Sequence, residues 1–267
     1  MFSPILQPKL DNTLMAIIRD LGLTTNLKLC LDAGDPGSYA SGQKWLDRSG
    51  NGHDFHLGAD SSATSTDPAF NGTPGAQSAN EYFSGDGGDY FTYDANSETW
   101  MRDFHKAGAI TALGIVYVPS DATVVLANTI TAGATHGFCV YYSATLNKFV
   151  FFITNSSGST VAIASAAPDV AIPSLNFVAF STTIGTGNAY TIFLNGTAYS
   201  GNWPSFTPST TSALTNPMHI GATDDLALTS VTGTRWLGQA LWDDAALSDA
   251  NLLAIYNRLK LRYPTLP

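Results

Sequence analysis

An all-β fold, a two-sheet antiparallel β-sandwich with a short helix near each end, is what this sequence predicts. Three observations carry it. From Leu27 onward, about ten short runs rich in Val, Ile, Thr and aromatic residues alternate with polar positions. Clusters of Gly, Asn, Asp and Ser bound those runs. Only 12% of residues are charged while 44% are hydrophobic, the balance of a β-rich chain with a polar but uncharged surface. So many strands in one domain require two packed sheets, and 267 residues are enough to bury a substantial core between them.

The first element is helical. Leu14, Ile17, Ile18 and Leu21 recur at the spacing of one helical face, with Asp11 placed to cap its start and Gly22 its end. Such a helix either covers a sheet edge or docks on a partner. Pro4 and Pro8, ahead of a sandwich able to fold by itself, lead us to assign residues 1–26 as an anchoring segment. Residues 27–267 are then the sandwich domain with its C-terminal helix.

The strands follow as "LKLCLDA", "AITALGIVYV", "TVVLANTI", "GFCVYYSA", "KFVFFIT", "TVAIASA", "FVAFSTTI", "AYTIFLNGTAYS", "MHIGAT" and "RWLGQALWD". "TNSSGST" and Asn195-Gly196 are hairpin signals, since Asn and Gly tolerate the positive φ angles of a type I′ turn. Trp236 and Trp242 sit inside a strand pattern and are assigned to the core. The last element is a helix, Asp249 to Arg262. Ser248 is its N-cap, Leu252, Ile255, Tyr256 and Leu259 form its apolar stripe, and Pro264 stops it.

"LDAGDPGSYASGQKWLDRSGNGHDFHLGAD", residues 31–60, concentrates glycines and acids around one tryptophan. A phosphate loop is excluded: no G-x-x-x-x-G-K-[ST] occurs, and Lys44 precedes the glycine cluster. Residues 47–52 read as a turn with Trp45 packed beneath it. Calcium is the alternative. Asp47, Asn51, Asp86 and Asp89 supply suitable oxygens if this turn lies beside "SGDGGDYF"; otherwise the same groups serve Asx turns.

A net charge of −9 with 12 scattered basic residues argues against nucleic acid and anionic membranes as partners. No apolar run approaches the roughly 20 residues that span a bilayer. "MFSPILQPKLDN" lacks the basic start and apolar core of a signal peptide, so synthesis and assembly in a cytoplasm are expected. Cys30 and Cys139 read as buried free thiols.

Catalysis is not expected. Only Glu81 and Glu98 are present, no E-x-D strand exists, and Asp224-Asp225 and Asp243-Asp244 would point oppositely on strands. No nucleophile elbow appears, and His53, His56, His105, His136 and His219 lack zinc spacing.

Taken in order, "WLDRSGNGHD", "YFSGDGGDYFTY", "AITALGIVYV", "FVAFSTTIGTGNAYTIFLNGTAY", "MHIGA" and "LGQALWDDAALSDANLLAIYNRLKLRYP" resemble a concanavalin A-like, laminin G-like jelly-roll domain. The resemblance spans nearly everything from Leu27 to Pro264. "LDAGDPGSYASGQKWLDRSGNG" also looks like such domains in virion structural proteins of tailed bacteriophages.

That resemblance implies a lectin-like sugar site in which an aromatic face meets the ring and polar groups meet its hydroxyls. Trp203, in the Pro-interrupted loop "YSGNWPSFTPST", is the tryptophan expected to be exposed, with Asn202 and Tyr39 completing the surface. A loop tryptophan also serves as a subunit contact. The resemblance further implies a virion surface protein, made in the host cytoplasm and homo-oligomeric on the particle. It would contact other virion proteins through residues 1–26 and cell-surface glycans through its loops. The alternatives are a structural head decoration or tail protein and, more distantly, a glycanase. No cofactor is expected beyond the candidate Ca²⁺.

Overall fold

The computed structural model describes residues 11–93, 99–130, 136–163, 167–212, 217–223 and 228–267. Helix α1 (Leu14–Asp20) and β1 (Leu27–Asp32) come first. Five short strands follow: β2 (Lys44–Trp45), β3 (Phe55–Leu57), β4 (Ala69–Asn71), β5 (Tyr82–Ser84) and β6 (Phe91–Tyr93). After α2 (Thr99–Asp103) come β7 (Gly108–Val118), β8 (Val124–Asn128), β9 (Phe138–Ser143), β10 (Lys148–Thr154) and β11 (Thr160–Ile163). The chain closes with β12 (Ser174–Ile184), β13 (Ala189–Leu194), β14 (Thr197–Asn202), β15 (His219–Ile220), β16 (Arg235–Asp243) and α3 (Asp249–Lys260).

The strands form two antiparallel eight-stranded sheets, which is the sandwich that the alternation predicts. The first runs β14-β13-β12-β7-β16-β5-β4, with β1 also paired to β16; the second runs β11-β10-β9-β8-β15-β6-β3-β2. Asn195 and Gly196, at φ 48° and 90°, turn β13 into β14 with Leu194 opposite Thr197, as a type I′ hairpin requires. Cys30 and Cys139 are buried free thiols.

Two cores flank the first sheet. Inward side chains of both sheets, among them Trp45, Phe83, Phe91, Phe138, Phe151, Phe180 and Trp236, fill the space between the layers. On the outer face of the first sheet, Leu113, Ile115, Phe177, Phe193 and Trp242 meet Leu14, Ile17 and Ile18 of α1 and Leu252, Ile255, Tyr256 and Leu259 of α3. Burial on both faces explains why β7 and β16 read as nearly continuous apolar runs rather than strict alternation.

Helix α1 is therefore not a detached anchor. Leu14, Ile17 and Ile18 are fully buried, because the outer face of the first sheet offers them more apolar surface than α3 alone covers. The part of the anchoring segment within residues 1–10 lies outside the described residues. Thr13, not Asp11, caps the helix: its side chain accepts from the Ala16 N–H, while Asp11 Oδ1 accepts from the Thr13 N–H. Gly22, at φ 71°, ends it as expected. Ser248 caps α3 by accepting from the Asn251 N–H.

One buried carboxylate joins these parts. Asp32, at the end of β1, accepts the Leu14 N–H at 2.7 Å and the Gly34 N–H at 2.9 Å. Arg262 Nη1, just beyond α3, donates to both of its oxygens at 2.8 Å. Arg262 Nε reaches the Ser78 carbonyl at 3.1 Å, and Glu81 fixes that turn by accepting from the Ser78 N–H and hydroxyl. A Cβ added to Gly34 would stand 1.8 Å from Arg262 Nη2, so only glycine fits beneath the guanidinium.

If α1 belongs to the core, Ile17→Ala will lower stability by about 2–5 kcal/mol in denaturant unfolding. A segment that served only as a tether would leave the unfolding midpoint unchanged.

Candidate functional site

The recognition surface expected from the sequence is not assembled. Trp203 is only 2% exposed, and its indole N–H donates to Thr182 Oγ1 at 2.7 Å. Its ring packs against Phe151, Tyr190 and Phe206. The loop folds back because the Trp203 N–H donates to Asn188 O, the Gly187 N–H to Trp203 O, and the Phe206 N–H to Thr186 Oγ1. The indole thus closes one end of the inter-sheet core. Asn202 is exposed on β14. Tyr39 is buried against Phe70 of β4 and Phe83 of β5. Strands β14 and β4 are opposite ends of the first sheet, so Tyr39 and Asn202 cannot share one site.

The candidate calcium ligands also separate. Asp47 Oδ1 accepts the Cys30 and Ser49 N–H groups; its Oδ2 accepts the Ser49 hydroxyl and the His53 N–H. Asn51 donates through its amide to the carbonyls of Leu27 and Lys28. Asp86 and Asp89 lie in another turn, where Asp86 Oδ1 accepts the Gly88 N–H and Asp89 Oδ2 accepts the Asp86 N–H. Among the described residues no three His, Cys, Asp or Glu side chains converge as metal ligands. The four predicted residues do not fit one calcium ion, because they sit in two separate turns where Asp47, Asp86 and Asp89 accept turn N–H groups and Asn51 uses its amide as a donor. Gly50 and Gly52 supply positive φ in the first turn, with Trp45 buried beneath it.

Among the described residues one serine stands beside a histidine without forming an open nucleophile. Ser209 Oγ lies 3.0 Å from His136 Nδ1, but Ser209 is buried.

A different place on the first sheet presents polar chemistry to solvent. Residues of β16 alternate, so Trp236 enters the inter-sheet core and Arg235 faces outward. Arg235 stands opposite Ser84 of β5 and Tyr117 of β7. A bulge follows at Leu237, beyond which this face passes under the helices. The Arg235 guanidinium lies over the rings of Tyr82 and Tyr117, 4.7 and 4.5 Å from their centroids. It makes no side-chain hydrogen bond or ion pair among the described residues. With Pro173, Ser174 and Thr265 these residues line a groove of about 350 Å³, within the size range of small-molecule sites.

Ser84 also borders a neighbouring hollow of about 390 Å³ lined by Thr64, Asp67, Asp86, Asp89 and Thr232. Burial pushes the Asp89 carboxyl up to about 6; the backbone hydrogen bond from Asp86 opposes this, and the negative charge of Asp86 adds to it. The Arg235 groove escapes a reading of the sequence because "RWLGQALWD" registers only as a strand. Its one cation, at an outward position of an otherwise apolar run, is the available signal.

No protein-family model matches this sequence, and no curated protein does. Solved structures share the fold. The binding domain of Paraclostridial Mosquitocidal Protein 1 superposes with a TM-score of 0.60 at 11% identity over 88% of this chain. The botulinum neurotoxin type G receptor binding domain gives 0.55 at 13% over 87%. A Trypanosoma rangeli sialidase in complex with sialic acid gives 0.53 at 12% over 87%. This chain spans 53%, 51% and 33% of those chains respectively. Such likenesses show the sandwich and leave function to the site.

Two measurements test this placement. Trp203→Ala should cost about 3–5 kcal/mol of stability, as for a buried indole, whereas an exposed one would cost almost nothing. Asp89→Asn keeps the acceptor for the Asp86 N–H and removes a buried charge. Because the folded pKa exceeds the ordinary carboxylate value of 3.8, the stability contributed by protonated Asp89 is complete below about 4 and lost as pH rises through 6. The variant should therefore melt higher than wild type at pH 8, and the gap should vanish by pH 4; a gap independent of pH would refute the assignment.

Proposed function

We propose that this protein is a non-catalytic recognition domain that binds glycans in the Arg235 groove. The carrying observation is the groove itself: an exposed guanidinium, positioned by two tyrosine rings, with hydroxyl groups alongside. Apolar walls with a few convergent polar groups suit a saccharide, whose ring presents C–H faces and hydroxyl edges. Solved structures described as binding or receptor binding domains support the reading by fold alone.

Absence of turnover is part of the proposal. Glycoside hydrolysis uses paired carboxylates across the scissile bond, and none of the residues lining this groove is acidic. Glu81 is buried and held by Ser78. Asp89 faces the neighbouring hollow. The surface of a phage-type virion, with homo-oligomeric display and synthesis in the host cytoplasm, is the setting we assign to this binding; it rests on the sequence resemblance.

Purified protein on a glycan array should bind a defined subset of glycans saturably and release no sugar on prolonged incubation. Cleavage of a bound glycan would refute the non-catalytic assignment. Failure to bind any glycan would leave the structural decoration role in its place.

A further inference from the structure

We infer that the group recognised in the groove is a carboxylate, so that the ligand is an acidic saccharide gripped by Arg235. This rests on the glycan-binding reading above and specifies its ligand class. The evidence begins with how the chain uses its arginines. Four of the six arginines face acids: Arg19 and Arg258 face Asp20, Arg48 faces Asp35, and Arg262 is buried on Asp32. Arg102, on α2, is half-buried with its Nε enclosed. Arg235 faces aromatic rings instead, and no acidic residue lines its groove. In a chain of net charge −9, Arg235 combines an exposed guanidinium with the lack of a carboxylate partner among the described residues.

Geometry then narrows the ligand. The guanidinium is planar, and its N–H donors form a fork in that plane matching the two oxygens of a carboxylate; held over the Tyr82 and Tyr117 rings, it can present that fork to the groove. Contact with Tyr82 and Tyr117 restricts the rotamers that the side chain would otherwise lose on binding, so less ordering entropy opposes the ligand. Thr265 and the tyrosine hydroxyls remain for sugar hydroxyl groups, whereas the Ser174 hydroxyl already donates to the Ala171 carbonyl and accepts from Asn176 Nδ2.

The neighbouring hollow sets a limit on charge density. Asp67, Asp86 and Asp89 lie beyond Ser84, the residue opposite Arg235. A densely anionic chain running past Arg235 would meet those acids, whereas a saccharide with one isolated carboxylate and neutral neighbours would not. Carboxylated rather than heavily sulfated glycans are thus the class that fits.

The test compares matched ligands on the full chain by calorimetry. Uronic-acid and sialic-acid oligosaccharides are titrated beside their carboxyl-reduced, neutral counterparts, with heparin and a phosphodiester-linked glycan as further probes. The acidic forms should bind roughly 10–100-fold tighter than their reduced partners, the value of a charge-assisted bidentate contact. Arg235→Gln should abolish that preference with little change in melting temperature. Arg235→Lys keeps a cation over the rings but removes the fork, so it should fold normally and still lose most of the preference.

Equal binding of acidic and reduced sugars, unaffected by Arg235→Gln, would overturn the carboxylate assignment and leave the glycan reading standing. Retention of the full acid preference in Arg235→Lys would overturn the bidentate grip, and tighter binding of the phosphodiester or heparin probe would overturn the ligand class. If no saccharide binds, the glycan reading falls and the inference falls with it.

Discussion

Asp32 and Arg262 fix the point at which three stretches of chain meet beside the outer core. The carboxylate ends β1, accepts the first helical N–H of α1 and receives the guanidinium that follows α3. Burying two charges is costly, and their attraction offsets this cost only when geometry is good and most lone pairs and protons are used. Here both carboxylate oxygens are engaged, and Arg262 Nε is also bonded to the Ser78 carbonyl. The pair contributes placement more than net stability: it fixes where α1 begins relative to the sheet and where the chain leaves α3. The outer core between those helices and the first sheet inherits its geometry from that junction.

The same residue type does opposite work at two points on one sheet. Arg262 is buried and its Nη1 and Nε are bonded to Asp32 and the Ser78 carbonyl, so its charge is used internally, although its Nη2 has no hydrogen-bond partner among the described residues. Arg235 lies where the helical cover ends, its guanidinium over the Tyr82 and Tyr117 rings and exposed to solvent. The difference arises from cover rather than from the sheet. Leu237 and everything after it on the outward side of β16 lies under α1 and α3, and the preceding outward residue does not. A helix that extended one turn further would convert the groove into core.

Sequence reasoning recovered what long periodic segments encode. Strands β7 to β10, β12, β13 and β16, the Asn195-Gly196 hairpin and the capped helix α3 all carry enough residues for alternation or helical spacing to stand out. Strands β2 to β6 were hidden because two or three residues show no period, and their register depends on partners distant in sequence. Trp203 was misread for a related reason. Flanking Pro204 and nearby glycine suggest an exposed loop, but the backbone hydrogen bonds that turn this loop inward come from the separate turn at residues 185–188. The acids near residues 47 and 86 mislead because composition shows oxygen atoms and not the N–H groups that already occupy them.

The pairing of β1 with β16 carries a consequence for the order of assembly. Leu27 lies opposite Trp242, and Asp32 meets a guanidinium 230 residues further along the chain. Closing so long a loop costs entropy before any contact repays it, which places the protein among slow, high-contact-order folders. During synthesis α1 emerges well before β16 and α3, which complete the apolar surface it packs against. Until then its Leu14, Ile17 and Ile18 stay in water beside the unmatched edge of β1. Completion of the outer core is thus a late, cooperative event, and a chain cut before Arg262 loses the partner that holds Asp32 and, through it, the start of α1.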